Sequence, residues 1–169
     1  MKRWSLAICL LITLAISGIV AAQETTPEST PEIDPAVSIP YYTPNVLETY
    51  PRDPEKFTQG LVWSDGDLFQ SAGQYGESLL LENDLETGDV IQSVSLDEEY
   101  FSEGLALVDD HLIQITWREG TAFVYDAATF EVVDTYSYEG EGWGLCYDGE
   151  YLWMSDGSPN LFRRDAETF

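Results

Sequence analysis

The sequence predicts an all-β fold, a β-propeller of which this chain holds about three blades. Short runs of β-branched and aromatic residues alternate with Asp-Gly and Asn-Asp turn signals from Asn45 onward, as in LVWSDGDLFQS. No helical period persists beyond a turn in this region. Similar segments recur about every 40 residues, which is the length of one four-stranded propeller blade.

The repeat is carried by two series of positions. FTQGLVWSDGDLFQSAG, FSEGLALVDDHLIQITW and GWGLCYDGEYLWMSDG align on their leading glycines, Gly60, Gly104 and Gly144. NDLETG, YDAATF and RDAETF align on their aspartates, Asp84, Asp126 and Asp165. We expect each glycine-leucine step to begin the innermost strand of a blade, where glycine suits a crowded backbone.

The number of blades indicates an incomplete propeller. Residues 50–169 hold about three repeats, whereas a propeller has four or more blades. We therefore expect the chain to be a fragment that lacks its C-terminal blades. We expect Asn45–Tyr50 to supply a strand that completes the last of those blades, and three blades alone to leave two unpaired sheet edges.

The N-terminal residues are expected to direct export. Lys2 and Arg3 precede an apolar run, Leu6–Val20, and small residues follow, so residues 1–22 are predicted to be a signal peptide cleaved after Ala22. An uncleaved anchor is the alternative, although the run is short for a membrane span. Residues 23–44 form a Pro-, Thr- and Glu-rich linker predicted to be disordered, and residues 45–169 form the partial propeller. The protein is expected to be secreted, extracellular or periplasmic.

Charge and ligand-forming residues exclude several functions. Thirty-one acidic residues face seven basic ones, for a formal charge of −24, which disfavours binding to nucleic acid or anionic membranes. His111 is the single histidine, and Cys146 is the single cysteine beyond the signal peptide. A zinc site requires three or four ligands, so we expect no metal and no cofactor. A catalytic Cys146–His111 pair is disfavoured, because Cys146 falls in an apolar strand pattern where a small buried cysteine is common.

Positions that differ between the blades are the candidates for chemistry. Directly before the leading glycines stand Gln59, Glu103 and Trp143. Thirteen residues after those glycines stand Gly73, Trp117 and Gly157. If the inner strands begin at the glycines, a carboxamide, a carboxylate and an indole meet at the channel mouth, where propellers bind ligands, and Trp117 leans over it. Core packing of the two tryptophans and a solvated Glu103 are the structural alternatives.

Several motifs in order carry a family resemblance: YPRDPEKFTQGL, GQYGES, FSEGLAL, QITW, VYDAATF, EGEGWGL and SDGS. From about Tyr50 to Phe169 the chain resembles the plant and bacterial glutaminyl-peptide cyclotransferases. The resemblance implies a five-bladed propeller that converts an N-terminal glutamine of a peptide or protein to pyroglutamate with release of ammonia. It implies a metal-independent acyltransferase that needs no cofactor, and we expect a monomer with no stable membrane insertion.

The resemblance also assigns roles to the candidate residues. It implies that Glu103 is the catalytic acid–base group and that Gln59, Trp117 and Trp143 bind substrate. An Asn and a Lys that the family takes from later blades have no assignable counterpart in this sequence. Two other functions stay open: a non-catalytic cell-surface propeller that binds a peptide or glycan, and a metal-dependent propeller hydrolase. The second needs several carboxylates at the mouth, where this sequence offers Gln, Glu and Trp.

Overall fold

The computed structural model describes residues 40–169, in which every regular element is a β-strand. Asn45–Phe169 forms one compact unit. The predicted signal peptide and the predicted linker up to residue 39 lie outside the described residues, and residues 40–44 are exposed and without regular structure. Within the described range, no helix is long and apolar enough to cross a membrane.

Eleven strands of the described residues form three antiparallel sheets in chain order. The first blade contains β1 (Thr58–Ser64), β2 (Asp67–Ala72), β3 (Leu79–Asn83) and β4 (Val90–Ser95). The second contains β5 (Ser102–Val108), β6 (His111–Thr116), β7 (Thr121–Asp126) and β8 (Val132–Ser137). The third contains β9 (Leu145–Tyr147), β10 (Tyr151–Ser155) and β11 (Leu161–Asp165). Strands adjacent in sequence pair in space, which confirms the predicted all-β blade architecture.

The predicted Asp-Gly turn between β1 and β2 is present in the structure. Ser64 pairs with Asp67, and the two residues between them, Asp65 and Gly66, have φ values of 52° and 106°. Positive φ at both positions is the type I′ geometry that suits the right-handed twist of a two-stranded hairpin. The hairpin between β1 and β2 is therefore specified locally.

The repeated aspartates form a recurring turn after the third strand of each blade. Asp84, Asp126 and Asp165 each accept hydrogen bonds at Oδ1 from the backbone N–H groups two and three residues on. The same oxygen accepts a hydrogen bond from the hydroxyl of the threonine three residues on. These bonds hold the pKa of each aspartate below its usual value. The aspartate series thus marks turns rather than chemistry.

The blades stack through two apolar layers. Between the first and second blades pack Phe69, Leu80, Leu105, Leu112, Tyr125 and Phe130. Between the second and third pack Ala106, Ile113, Ile115, Val124, Leu145, Leu152 and Met154, with others. The second sheet thus packs with both faces, one against each neighbouring blade, because alternate side chains of a strand point to opposite faces. A polar contact crosses the first layer, since the buried Gln114 donates through Nε2 to Ser71 Oγ at 2.8 Å.

The leading glycines lie where the inner strands of adjacent blades approach. A Cβ on Gly60 would lie 2.7 Å from the backbone nitrogen of Leu105 in the next blade. A Cβ on Gly104 would collide with the backbone nitrogen of Leu145, and Gly104 donates its own N–H to the carbonyl of Trp143 at 2.8 Å. For Gly60 and Gly104 the predicted reason, a crowded backbone, is therefore confirmed, whereas a Cβ on Gly144 would meet only the side-chain Oγ of Ser155 at 3.0 Å.

Two expectations concern residues that no described blade covers. Asn45–Tyr50 is exposed and forms no strand within the described range, and because the blade that it is predicted to complete is not among the described residues, that role stays a prediction. Cys146 is exposed within the described residues, because no described blade packs against its face of the third blade. It follows the buried Leu145 on β9, and strand alternation turns the thiol to the opposite face of the third blade.

Candidate active site

Four predicted residues lie together at one end of the stacked blades. Gln59 and Glu103 lie on the inner strands β1 and β5, each one residue before its leading glycine. Trp143 precedes β9, and Trp117 follows β6. All four line one cavity of about 370 Å³. The fold therefore brings together every site residue that the sequence predicted, although the roles assigned to them stay predictions.

The centre of this cavity is a carboxamide–carboxylate pair. Gln59 Nε2 donates a hydrogen bond of 2.7 Å to Oε1 of Glu103, which is half-buried. Burial raises the pKa of Glu103 to about 7. The hydrogen bond from Gln59 opposes that rise, because it stabilises the ionised form, and the negative charge of Glu141 adds to it. Glu103 is therefore close to half-ionised at neutral pH, which suits a group that both takes and gives a proton.

Aromatic rings form the walls. Phe101 also lines the cavity and packs edge-on against Trp117, with ring centroids 5.6 Å apart. Tyr75 packs edge-on against the other side of Phe101 at 5.3 Å. Trp143 is 47% exposed and contributes a face open to the mouth. The rings surround Glu103 with apolar surface, which explains its desolvation.

Glycines at the register of Trp117 make room for these walls in the other blades. A Cβ on Gly157 would lie 2.5 Å from Cζ2 of Trp143, and a Cβ on Gly73 would lie 2.5 Å from Cε1 of Phe101. Gly157 also has a φ of 81°, which side chains disfavour. At this repeat position the sequence has Trp117 in the second blade and a glycine in the other two. The structure shows that the two glycines leave the space that neighbouring aromatic rings occupy.

Glu141 and Phe101 are site residues that the sequence reasoning missed. Glu141 Oε2 accepts hydrogen bonds from both indole N–H groups, at 2.8 Å from Trp117 and 3.0 Å from Trp143. A signal for Glu141 was present in the repeat. Three residues before the leading glycines stand Phe57, Phe101 and Glu141, so a carboxylate takes the place of the phenylalanine of the first two blades. Phe101 gave no such signal, because it matches Phe57.

No group of three or more potential metal ligands occurs among residues 40–169. His111 begins β6, at the opposite end of that strand from Trp117, and its Nδ1 lies 2.9 Å from Oδ1 of the adjacent Asp110. The cavity itself supplies one carboxylate and one carboxamide for chemistry. This set can move a proton and donate hydrogen bonds.

A family model described as glutamine cyclotransferase matches residues 11–169. This chain belongs to the glutamine cyclotransferase family. The match covers all three blades and confirms the resemblance drawn from the motifs. It places Gln59 and Glu103 in a family whose name describes cyclisation of glutamine.

Individual relatives agree with the family match. The glutaminyl-peptide cyclotransferase of Arabidopsis thaliana is 41% identical over 125 residues, which are 73% of this chain and 39% of that protein. The crystal structure of Myxococcus xanthus glutaminyl cyclase matches with a TM-score of 0.68 and 35% identity, covering 74% of this chain and 53% of that one. The chain thus spans roughly two-fifths to one-half of these relatives.

A more distant match concerns the fold alone. The crystal structure of RRP9 WD40 repeats matches with a TM-score of 0.51 and 14% identity, covering 62% of this chain and 34% of that one. WD40 repeats form β-propellers of four-stranded blades. The similarity agrees with the blade architecture of residues 58–165.

Proposed function

We propose that the full-length protein cyclises the N-terminal glutamine of peptides or proteins to pyroglutamate and releases ammonia. The observation that carries the proposal is Glu103, a half-buried carboxyl with a pKa of about 7 that accepts a hydrogen bond from Gln59 inside an aromatic cavity. The family match supports the activity. Because the chain spans only part of its relatives, the activity belongs to the whole protein.

The reaction needs no external nucleophile. The substrate's α-amine nitrogen forms a bond to the carbon of its own γ-carboxamide, and Glu103 accepts the proton that the nitrogen loses. The tetrahedral intermediate then breaks its bond to the amide nitrogen, which takes the proton from Glu103 and leaves as ammonia. The five-membered lactam remains and the carboxylate is restored. Glu103 is thus the proposed proton carrier.

The surrounding side chains have positioning roles in this proposal. The carboxamide of Gln59 orients Glu103 and has a second N–H to offer to the tetrahedral oxygen. The indoles of Trp117 and Trp143 bind the substrate and hold its α-ammonium by a cation–π contact before it deprotonates. Together with Phe101 they exclude water and fold the glutamine side chain back toward its amine.

Two other functions are distinguishable from this one. A non-catalytic propeller that binds a peptide or glycan has no use for a carboxyl with a pKa near neutrality beside a carboxamide donor. A metal-dependent hydrolase needs several carboxylates in the cavity, whereas Glu103 is the one carboxylate among the residues that line it. We therefore favour a metal-independent acyl transfer.

Turnover of a glutaminyl peptide tests the proposal directly. The full-length protein is incubated with a peptide that begins with Gln, and mass spectrometry is expected to record loss of ammonia from the peptide. The same peptide with an acetylated amine is expected to stay intact, because its nitrogen cannot attack. Turnover should persist in the presence of a chelator. Binding of the free-amine peptide without any product would favour the binding propeller, and loss of turnover on chelation would favour a metal enzyme.

We further propose that the protein is exported and cleaved after Ala22. The basic, apolar and small-residue pattern of residues 1–22 supports this. Cleavage there exposes Gln23, itself a glutamine that the enzyme can cyclise. Mass spectrometry of the secreted protein should find a pyroglutamyl N-terminus, whereas an intact Met1 on a membrane-bound product would contradict cleavage.

A further inference from the structure

The two indoles of the cavity share one acceptor. Trp117 and Trp143 come from different blades, yet both donate their Nε1–H to the same oxygen of Glu141, at 2.8 Å and 3.0 Å. Glu141 does not line the cavity, and it belongs to the segment between β8 and β9. One carboxylate oxygen outside the cavity therefore ties together the two tryptophans of its wall.

The other oxygen of Glu141 is also held. Arg118 Nε approaches Oε1 at 3.1 Å, and the Arg118 guanidinium carbon lies 3.6 Å from the centroid of the Trp117 ring. The guanidinium thus stacks on the indole and pairs with the carboxylate that the same indole contacts. The indole hydrogen bonds, and after them Arg118, hold the pKa of Glu141 below its usual value. Glu141 is therefore ionised at neutral pH and has partners on both oxygens.

The backbone around Glu141 is fixed by the adjacent residues. Gly142 donates its N–H to the carbonyl of Trp117 at 2.7 Å, and Trp143 donates its N–H to the carbonyl of Ser155 at 2.9 Å. A Cβ on Gly142 would lie 2.6 Å from the carbonyl oxygen of Thr116, so the segment packs tightly on the end of β6. The Glu141 carboxylate is therefore attached to a backbone with little conformational freedom. A rigid backbone is required if the carboxylate is to orient the two indoles accurately.

We infer that Glu141 is a positioning residue of the glutamine cyclotransferase reaction, which acts by holding the Trp117 and Trp143 rings in the orientation that binds substrate. This inference rests on the proposed function. Without the carboxylate, the indole N–H groups would turn toward water and each ring would gain rotamer freedom that substrate binding must then remove. Because the rings bind the substrate before and during reaction, KM should rise more than kcat falls.

Kinetics of the full-length protein provide the first test. Glu141→Ala is expected to lower kcat/KM on a glutaminyl peptide about tenfold, the lower end of what hydrogen bonds to a charged group contribute, mainly through KM. Glu139→Ala is the matched control: Glu139 is an exposed acid two residues earlier, and neither indole donates to it. It removes the same charge and should leave kcat/KM unchanged. An equal loss in Glu139→Ala would show a general charge effect and contradict the inference.

A double-mutant cycle tests whether Glu141 acts through an indole. Trp117→Phe removes the N–H and keeps a ring, so combining it with Glu141→Ala should cost less than the two single losses together. Fully additive losses would contradict the inference. Thermal unfolding of each variant shows whether it folds, and Glu141→Gln serves as the second variant, because its amide oxygen can still accept from the indoles. It should lose less activity than Glu141→Ala.

Indole resonances give a readout that does not depend on turnover. In Glu141→Ala the Nε1–H proton signals of Trp117 and Trp143, assigned by Trp→Phe substitution, should move upfield as their hydrogen bonds are lost, while that of Trp153 stays, because Trp153 donates to Asp148. Unmoved signals would contradict the inference, as would wild-type kcat/KM in Glu141→Ala whatever the signals do. If the wild-type protein forms no pyroglutamate, the proposed function fails, and the signals still test the anchoring of the indoles.

Discussion

Gln59 Nε2 donates a 2.7 Å hydrogen bond to Oε1 of Glu103 across the boundary between the first and second blades. The contact opposes the effect of burial on the pKa of Glu103, yet burial prevails and the pKa rises to about 7. Gln59 thus orients the carboxyl and keeps its pKa from rising further. Four predictions follow from this pair and its walls.

Replacement of Glu103 tests its role as proton carrier. Glu103→Gln keeps the size of the side chain and its ability to accept a hydrogen bond from Gln59, but it cannot take a proton. We expect kcat of the full-length protein on a glutaminyl peptide to fall by roughly 10²–10⁴-fold, the usual contribution of general acid–base catalysis. Steady-state kinetics measure the change.

The matched control is Glu99→Gln, an exposed acid close in sequence that does not line the cavity. It should leave kcat within twofold of the wild-type value, about the scatter expected of a surface substitution. Nearly full kcat in Glu103→Gln would mean that the proton carrier lies elsewhere in the protein.

The pH dependence of kcat/KM should report the titration of Glu103. Only its ionised form accepts the amine proton. When kcat/KM is calculated on the concentration of substrate whose own α-amine is unprotonated, it should therefore fall below a pH of about 7, by about tenfold per pH unit at the acidic limit. The nearby Glu141 carboxylate does not titrate in this range, because its pKa lies below its usual value. Whatever slow turnover Glu103→Gln retains should lack this acidic limb. An unchanged limb in the variant would assign it to another group.

The raised pKa of Glu103 also predicts a stability effect. Between pH 4.5 and about 7 the folded protein holds a proton that the unfolded chain has released, so the free energy of unfolding falls as pH rises through this window. Glu103→Gln should remove that loss. At pH 8 the variant should melt a few degrees above the wild type, equivalent to about 1 kcal/mol, an effect kept small because solvent screens the half-exposed carboxylate. At pH 4.5 the two proteins should have the same melting temperature. A lower melting temperature at pH 8 would contradict this.

Gly157 is predicted to be required for the placement of Trp143. Gly157→Ala puts a Cβ 2.5 Å from Cζ2 of that ring and should raise KM by several-fold to tenfold, roughly 1–1.4 kcal/mol of binding. Gly149→Ala is the control, because Gly149 also has a positive φ, 99°, but has nothing within 4 Å of its Cβ position. Both variants should lose about 1 kcal/mol of stability, and only Gly157→Ala should change KM. Equal KM values in the two variants would show that the space for the ring is unimportant.

The sequence alone determined the strands, the turns and the repeat. These features depend on contacts within a few residues, such as the Asp65-Gly66 turn and the hydrogen bonds of Asp126 to the residues that follow it. The location of Glu103 at the channel mouth could also be predicted from the sequence, because equivalent positions of successive repeats lie at the same end of their blades. That is why four site residues could be named from spacing and resemblance.

Only the tertiary structure decided how these residues contact one another. Gln59 and Glu103 are 44 residues apart in sequence, and Trp117 and Glu141 are 24 apart, so their hydrogen bonds exist only once blades have stacked. The pKa of Glu103 and the exposure of Cys146 depend likewise on which face a neighbouring blade covers. Burial, orientation and shared hydrogen bonds are properties of surfaces brought together by packing, and no local pattern in the sequence specifies them.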